Sequence, residues 1–117
     1  MKKIIAAVAL ALTATSAMAE TAEVYHYTKN KKVTISLSDI KFSDLYCIAT
    51  LSLYRDVTEG NNKSEYKRAT SAQDKYFLKY DYTIPTKWIN QVKLSVSKEA
   101  RKDLQWFIKS SKECTKV

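Results

Sequence analysis

The longest apolar pattern that follows the first 19 residues is LYCIATLSLYRDV, residues 45–57. Every second residue from position 45 to position 53 is apolar: Leu45, Cys47, Ala49, Leu51 and Leu53. The residues that alternate with them are more polar: Tyr46, Ile48, Thr50, Ser52 and Tyr54. Because the side chains of a strand point alternately to two faces, this pattern predicts the longest strand of the fold, with Cys47 on its inward face.

Further segments alternate in the same way before and after this pattern. Residues 24–27 and 33–37 are separated by a polar turn and predict a hairpin. A turn that contains Gly60 leads into a polar edge strand at 64–68, which a loop at 70–75 follows. Residues 76–84 predict a strand that ends at Pro85, and residues 92–96 predict a shorter strand.

The periodicity becomes helical after Ser97. Residues spaced three and four apart share one face of a helix, namely Ala100, Leu104, Phe107, Ile108, Ser111 and Cys114. Ser97 is a suitable N-cap, and lysines follow near the C-terminal end, where the helix dipole favours cations. We therefore predict an amphipathic helix over residues 98–113.

Cys47 and Cys114 are the two cysteines of the chain and predict one disulfide bond. Closing a loop of this length restricts the unfolded chain by roughly 4 kcal/mol. Both cysteines lie on predicted apolar faces, so the bond would hold the C-terminal helix against the strands. We expect an α+β fold: a mainly antiparallel sheet of about five to six strands with one C-terminal amphipathic helix packed on it. The alternative is a small β-barrel or sandwich that the helix caps.

The first 19 residues predict a secretory signal peptide. Lys2 and Lys3 form a basic start, residues 4–14 are apolar and uncharged, and Ala17 and Ala19 precede the expected cleavage. The apolar run is shorter than the about 20 residues that cross a bilayer, so we expect no membrane span. We expect residues 20–117 to form one disulfide-linked domain in the periplasm of a bacterium, or secreted. Loss of the two lysines lowers the formal charge from +8 to +6.

A basic surface and several aromatic residues are the candidates for partner binding. The predicted C-terminal helix carries on its outer face Lys98, Arg101, Lys102, Lys109 and Lys112, with Trp106 beside them. This face suits an acidic protein surface, whereas the alternative is an ordinary solvated face. Tyr46 and Tyr54 are candidate anchors on the polar side of the longest strand, where the alternative is packing between strands.

The composition disfavours several classes of function. Gly60 is the only glycine, so no glycine-rich phosphate loop can be drawn. His26 is the only histidine, and with both cysteines paired it forms neither a zinc cluster nor a Cys–His pair. No spacing of carboxylates identifies a catalytic pair. We therefore expect no enzyme activity, no metal and no cofactor.

These observations favour a small periplasmic or secreted binding protein that acts by steric occupation of a macromolecular partner. An inhibitor or immunity protein against a toxin or a cell-wall hydrolase suits the size and the export signal. The expected partner is another protein with an acidic surface, and export disfavours nucleic acid. One alternative is an accessory subunit of a secretion or pilus assembly that pairs through an exposed strand edge. Another is a hydrolase whose acidic residues converge only in the fold.

Overall fold

The structure is a computed structural model that describes residues 20–117, so the predicted signal peptide lies outside the described part. Its elements are β1 (Thr21–His26), β2 (Lys31–Ser36), a 3₁₀ turn (Leu37–Asp39), α1 (Phe42–Thr58), α2 (Lys63–Phe77), α3 (Thr86–Lys102) and α4 (Leu104–Cys114). Residues 20–117 thus contain four α-helices and one two-stranded antiparallel sheet. The prediction of a five- to six-stranded sheet with one helix is wrong, and so is the barrel or sandwich alternative.

Helix α1 is the centre of the helical packing and contacts α2, α3 and α4. Leu45, Ile48 and Leu51 are almost completely buried at helical spacing, and Ala49 and Tyr54 are buried beside them. The predicted strand over residues 45–57 is therefore a helix. The alternating pattern led to a wrong prediction because this helix is covered on several sides. Such a helix is apolar nearly all round, so it lacks the one-sided pattern of a surface helix.

Helix α2 replaces the predicted edge strand at 64–68 and the predicted loop at 70–75. The Asn62 side chain accepts a hydrogen bond from the Glu65 backbone N–H (3.2 Å) and caps the helix. Ala69, Ala72 and Tyr76 are buried at spacings of three and four, as expected for the inner face of a helix. The predicted turn around Gly60, between α1 and α2, is confirmed.

Helix α3 contains the segment 92–96 that was predicted as a strand. Trp88, Val92 and Val96 are completely buried four residues apart, whereas Leu94 is 60% exposed. Pro85 does not end a strand but stands directly before the first residue of α3, a position that tolerates its missing N–H. The predicted strand at 76–84 is also wrong, since α2 continues to Phe77 and only Tyr82 forms an isolated bridge, to His26.

The predicted hairpin is confirmed. β1 and β2 pair antiparallel with Val24 opposite Val33. Asn30 takes a positive φ of 52° in the connecting turn, a conformation that asparagine tolerates better than most residues. Tyr27 N–H donates to the Asp81 carbonyl (2.7 Å) and Thr83 N–H donates to the Tyr25 carbonyl (2.9 Å), so residues 81–83 extend the pairing along β1.

The C-terminal segment is helical, but it is not one helix over residues 98–113. α3 ends at Lys102 and α4 begins at Leu104, with Asp103 between them in a non-helical conformation. The buried face of α4 consists of Trp106, Phe107, Ser110, Ser111 and Cys114. Phe107, Ser111 and Cys114 are buried as predicted, whereas Leu104 is 60% exposed and Ile108 is 36% exposed.

The predicted disulfide is confirmed: Cys47 of α1 is bonded to Cys114 of α4, with a Cα–Cα distance of 5.4 Å. The bond fixes the last helix to the central helix, not to a sheet. Among residues 20–117, no helix has both the length and the apolar character that crossing a membrane requires.

Candidate functional site

An open groove between α2 and α4 gathers basic side chains from two helices. Its volume is about 630 Å³, and Arg68 of α2 lies on one wall. The segment from α4 to the end of the chain supplies the other lining residues: Gln105, Ile108, Lys109, Lys112, Glu113, Thr115 and Lys116. We call this feature the basic groove. It has four cationic side chains and one carboxylate, with the partly exposed Ile108 among them.

The local structure of α4 explains why these side chains face outward. The Asp103 carboxylate accepts a hydrogen bond from the Trp106 backbone N–H (3.0 Å), which starts the helix at Leu104. Trp106, Phe107 and Ser110 are buried against the rest of the molecule. The residues on the opposite side of the helix, including Lys109 and Lys112, therefore point to solvent.

Two bonds around Cys114 hold the end of α4. One is the disulfide to Cys47. The other is a buried hydrogen bond from the Tyr76 hydroxyl of α2 to the Cys114 carbonyl (2.9 Å). This hydrogen bond links α2 directly to α4, the two helices that form the walls of the basic groove. A binding surface that is ordered before association has less conformational entropy to lose.

The charges of the basic groove are only partly compensated. Lys116 is 3.4 Å from Glu113, and Arg68 is 3.9 Å from Glu65. Lys109 and Lys112 are exposed, and neither has a carboxylate within 4.0 Å among residues 20–117. The groove therefore presents positive charge to solvent, which attracts an anionic group more than a set of neutralised pairs would.

Tyr54 is buried and does not line the groove, so it is not a surface anchor. Its ring packs edge to face on Phe107 with 6.0 Å between the ring centroids. Burial raises the pKa of its phenol, the negative charge of Glu65 raises it further, and Arg68 opposes this effect. Tyr46, the other tyrosine predicted to contact a partner, is also buried and packs against Phe42.

The predicted basic face is divided between two places. Lys109 and Lys112 line the basic groove, whereas Lys98, Arg101 and Lys102 are exposed on α3 outside its lining. The break at Asp103 separates the two groups. Trp106 is only 4% exposed, so it packs in the core and is not placed at the rim of an interface.

Arg68 and Ile108 belong to the basic groove but were not predicted as binding residues. Arg68 lies in a segment predicted as a strand, and Ile108 was assigned to the core face of the last helix. The helical spacing of Ala69, Ala72 and Tyr76 was the signal that would have placed Arg68 on the outside of a helix.

A second polar cluster connects the first turn of α1 to the segment after α2. The Asp44 carboxylate is buried and accepts hydrogen bonds from the Tyr80 hydroxyl (2.7 Å) and the Lys79 ammonium (3.0 Å). Burial opposes the ionisation of Asp44, but these two hydrogen bonds and the charge of Lys79 outweigh it and hold the pKa of Asp44 below its ordinary value. Burial and the hydrogen bond to Asp44 raise the pKa of Tyr80 to about 12. The Tyr80 hydroxyl also accepts a hydrogen bond from the Lys41 backbone N–H (3.2 Å), so the cluster links the start of α1 to the segment after α2.

The contacts of His26 stabilise the hairpin and its pairing with the segment after α2. Its Nδ1 accepts a hydrogen bond from the Lys29 backbone N–H (3.2 Å), and its backbone pairs with Tyr82. In the part of the chain that the structure describes, no three His, Cys, Asp or Glu side chains lie together as a metal site would require.

Comparison of the chain with protein-family models, curated proteins and solved structures found no match.

Proposed function

We propose that this chain is an exported binding protein that occupies a protein partner sterically, in the manner of an inhibitor or immunity protein against a toxin or a cell-wall hydrolase. The observation that carries the proposal is the basic groove between α2 and α4. The partner contributes an acidic segment to this groove, and its carboxylates pair with Lys109, Lys112 and Arg68.

The groove has the mixture of charge and apolar surface that protein recognition uses. Ile108 is 36% exposed within the lining, and Leu104 is 60% exposed one helical turn earlier on α4. Interfaces commonly combine such an apolar contact with charged groups at the rim. An acidic segment with one or two apolar side chains is therefore the occupant that the groove fits best.

Electrostatic attraction predicts the kinetic behaviour of the complex. Complementary charge accelerates association more than it changes the final affinity, and salt screens it. Since the uncompensated lysines of the groove are exposed, we expect the association rate to fall steeply as ionic strength rises.

The test is site-specific photo-crosslinking in the producing cell. A photoreactive amino acid replaces Ile108 in the groove or, as the control, Asn90, which is exposed on α3 outside the groove. We expect a discrete adduct with one envelope or secreted protein from the first position only. The purified captured protein should form a stoichiometric complex with this chain and lose its activity in it.

Two double charge-reversal variants distinguish attraction by the basic groove from attraction by the net positive charge of the protein. Lys109→Glu combined with Lys112→Glu should slow association with the captured protein at low salt by at least about tenfold. Lys63→Glu combined with Lys67→Glu makes the same change of charge at the exposed start of α2 and should have a much smaller effect. Equal slowing by both pairs, identical adducts at positions 108 and 90, or full activity of the captured protein in the complex would each contradict the proposal.

A further inference from the structure

The tip of the β-hairpin is a second exposed surface, distinct from the basic groove. Tyr25 and Tyr27 are 39% and 62% exposed, and their rings lie edge to face with 5.1 Å between centroids. Lys29, Lys31 and Lys32 follow them around the turn and are all exposed. We call these five residues the hairpin-tip patch.

The hairpin-tip patch is held in one conformation by hydrogen bonds. The Tyr25 hydroxyl donates to the Asn30 side-chain oxygen, and the Asn30 N–H donates to the Tyr27 carbonyl (3.3 Å). On its other side, the Thr83 hydroxyl donates to the Tyr27 hydroxyl (3.0 Å). The hydroxyl groups of both tyrosines are therefore hydrogen-bonded, while their side chains remain partly exposed to solvent.

The charge of the patch is positive and largely uncompensated. The chain has no acidic residue between Glu23 and Asp39. Lys29 and Lys31 have no carboxylate within 4.0 Å among residues 20–117, and Lys32 is 3.8 Å from Glu23 with both side chains well exposed. Such an exposed pair contributes little. Asp81 is an acidic residue on the segment that pairs with β1, where its backbone carbonyl accepts the Tyr27 N–H.

Apolar surface adjoins this charge. Tyr27 lines a groove of about 310 Å³ together with Phe77, Tyr82, Ile84 and Ile89. The residue after Phe77 is Leu78, which is 82% exposed. The exposed lysines and tyrosines of the patch thus adjoin an apolar groove.

We propose that the hairpin-tip patch docks on an anionic phospholipid surface. Tyrosine is favoured at the level of lipid headgroups because its ring is apolar and its hydroxyl is polar. Lysines near an anionic leaflet are attracted to it, and exposed aromatic rings such as that of Tyr27 insert into the boundary between headgroups and acyl chains. The inference does not depend on the proposed function, because it uses another surface and needs no protein partner.

The test measures co-sedimentation of residues 20–117, as the processed protein, with lipid vesicles. We expect binding to vesicles that contain phosphatidylglycerol and none to vesicles of phosphatidylcholine alone, and we expect the binding to weaken as salt is added. Absence of binding to the anionic vesicles at low salt overturns the proposal.

Matched variants distinguish the hairpin-tip patch from the overall positive charge. Lys29→Gln, Lys31→Gln and Lys32→Gln together should lower the ratio of bound to free protein by roughly a hundredfold. The control removes three exposed cations that lie toward the ends of α2 and α3 remote from residues 81–83: Lys63→Gln, Lys67→Gln and Lys98→Gln. Equal loss in both triple variants overturns the proposal, since binding would then follow net charge alone.

The tyrosine contribution is tested with Tyr27→Ser, which should weaken vesicle binding without altering the circular dichroism of the protein. Sedimentation velocity without vesicles tests the alternative that the patch mediates dimerisation. If wild-type protein is a dimer and Tyr27→Ser is a monomer, the patch is an interface between two copies of the chain and the lipid proposal is wrong.

Discussion

Two linkages, one helical turn apart on α1, hold other parts of the chain to the same helix by different physical means. Cys47 binds α4 covalently through Cys114. Asp44, three residues earlier, binds the segment after α2 through hydrogen bonds from Lys79 and Tyr80. The disulfide acts mainly by restricting the unfolded chain, whereas the Asp44 cluster acts only while its groups keep their protonation states. The covalent linkage, with the hydrogen bond from Tyr76, thus holds the wall of the basic groove on α4, and the ionic linkage helps to hold the segment that pairs with the hairpin.

Removing the covalent linkage should have the largest effect on stability. We expect Cys47→Ala combined with Cys114→Ala to lower the free energy of unfolding by about 4 kcal/mol, because the bond closes a long loop. Urea denaturation followed by circular dichroism measures this loss. A loss within about 0.5 kcal/mol, as for an ordinary surface substitution, would show that burial alone positions α4.

Neutralising the ionic linkage should cost less. Asp44→Asn removes the charge from a buried acceptor of two hydrogen bonds, and we expect a loss of about 2 kcal/mol in the free energy of unfolding. The chain offers a matched control in Asp56, which is 2.6 Å from Lys93 but has a side chain that is 60% exposed. Asp56→Asn should cost less than about 1 kcal/mol. Similar losses in the two variants would mean that burial does not strengthen the Asp44 cluster.

The hairpin could be predicted from the sequence and α1 could not, for a physical reason. The hairpin alternates because one of its faces is buried, with Val24 and Ile35 inside and Thr34 outside, and its turn carries a local signal. In α1, Tyr46 and Thr50 are buried as well as Leu45 and Ile48, so no polar side identifies the helix. The missed signal was length, since 17 residues without glycine or proline exceed an ordinary strand.

The candidate site was predictable in part. Lys109 and Lys112 were expected on the outside of a C-terminal helix, and the structure places them there. The groove itself required two facts that no local pattern contains. One is which side of α4 is buried, which leaves Ile108 partly exposed, and the other is the position of α2, which brings Arg68 opposite α4. Tertiary packing decides both.

The smallest expected effect is the dependence of the ionic linkage on alkaline pH. The pKa of Tyr80 is raised to about 12, so its neutral form is favoured in the folded state. The contribution of Tyr80 to stability is therefore complete below pH 10, the ordinary value for tyrosine, and is lost as pH rises from there through the folded pKa. The difference in urea midpoint between wild type and Tyr80→Phe should stay constant from neutral pH to pH 10 and decrease above it. Because other buried tyrosines titrate in both proteins, only this difference isolates Tyr80. A difference that grows with alkaline pH would mean that the phenol of Tyr80 ionises more easily in the folded protein, and that Lys79 and not Asp44 dominates its environment.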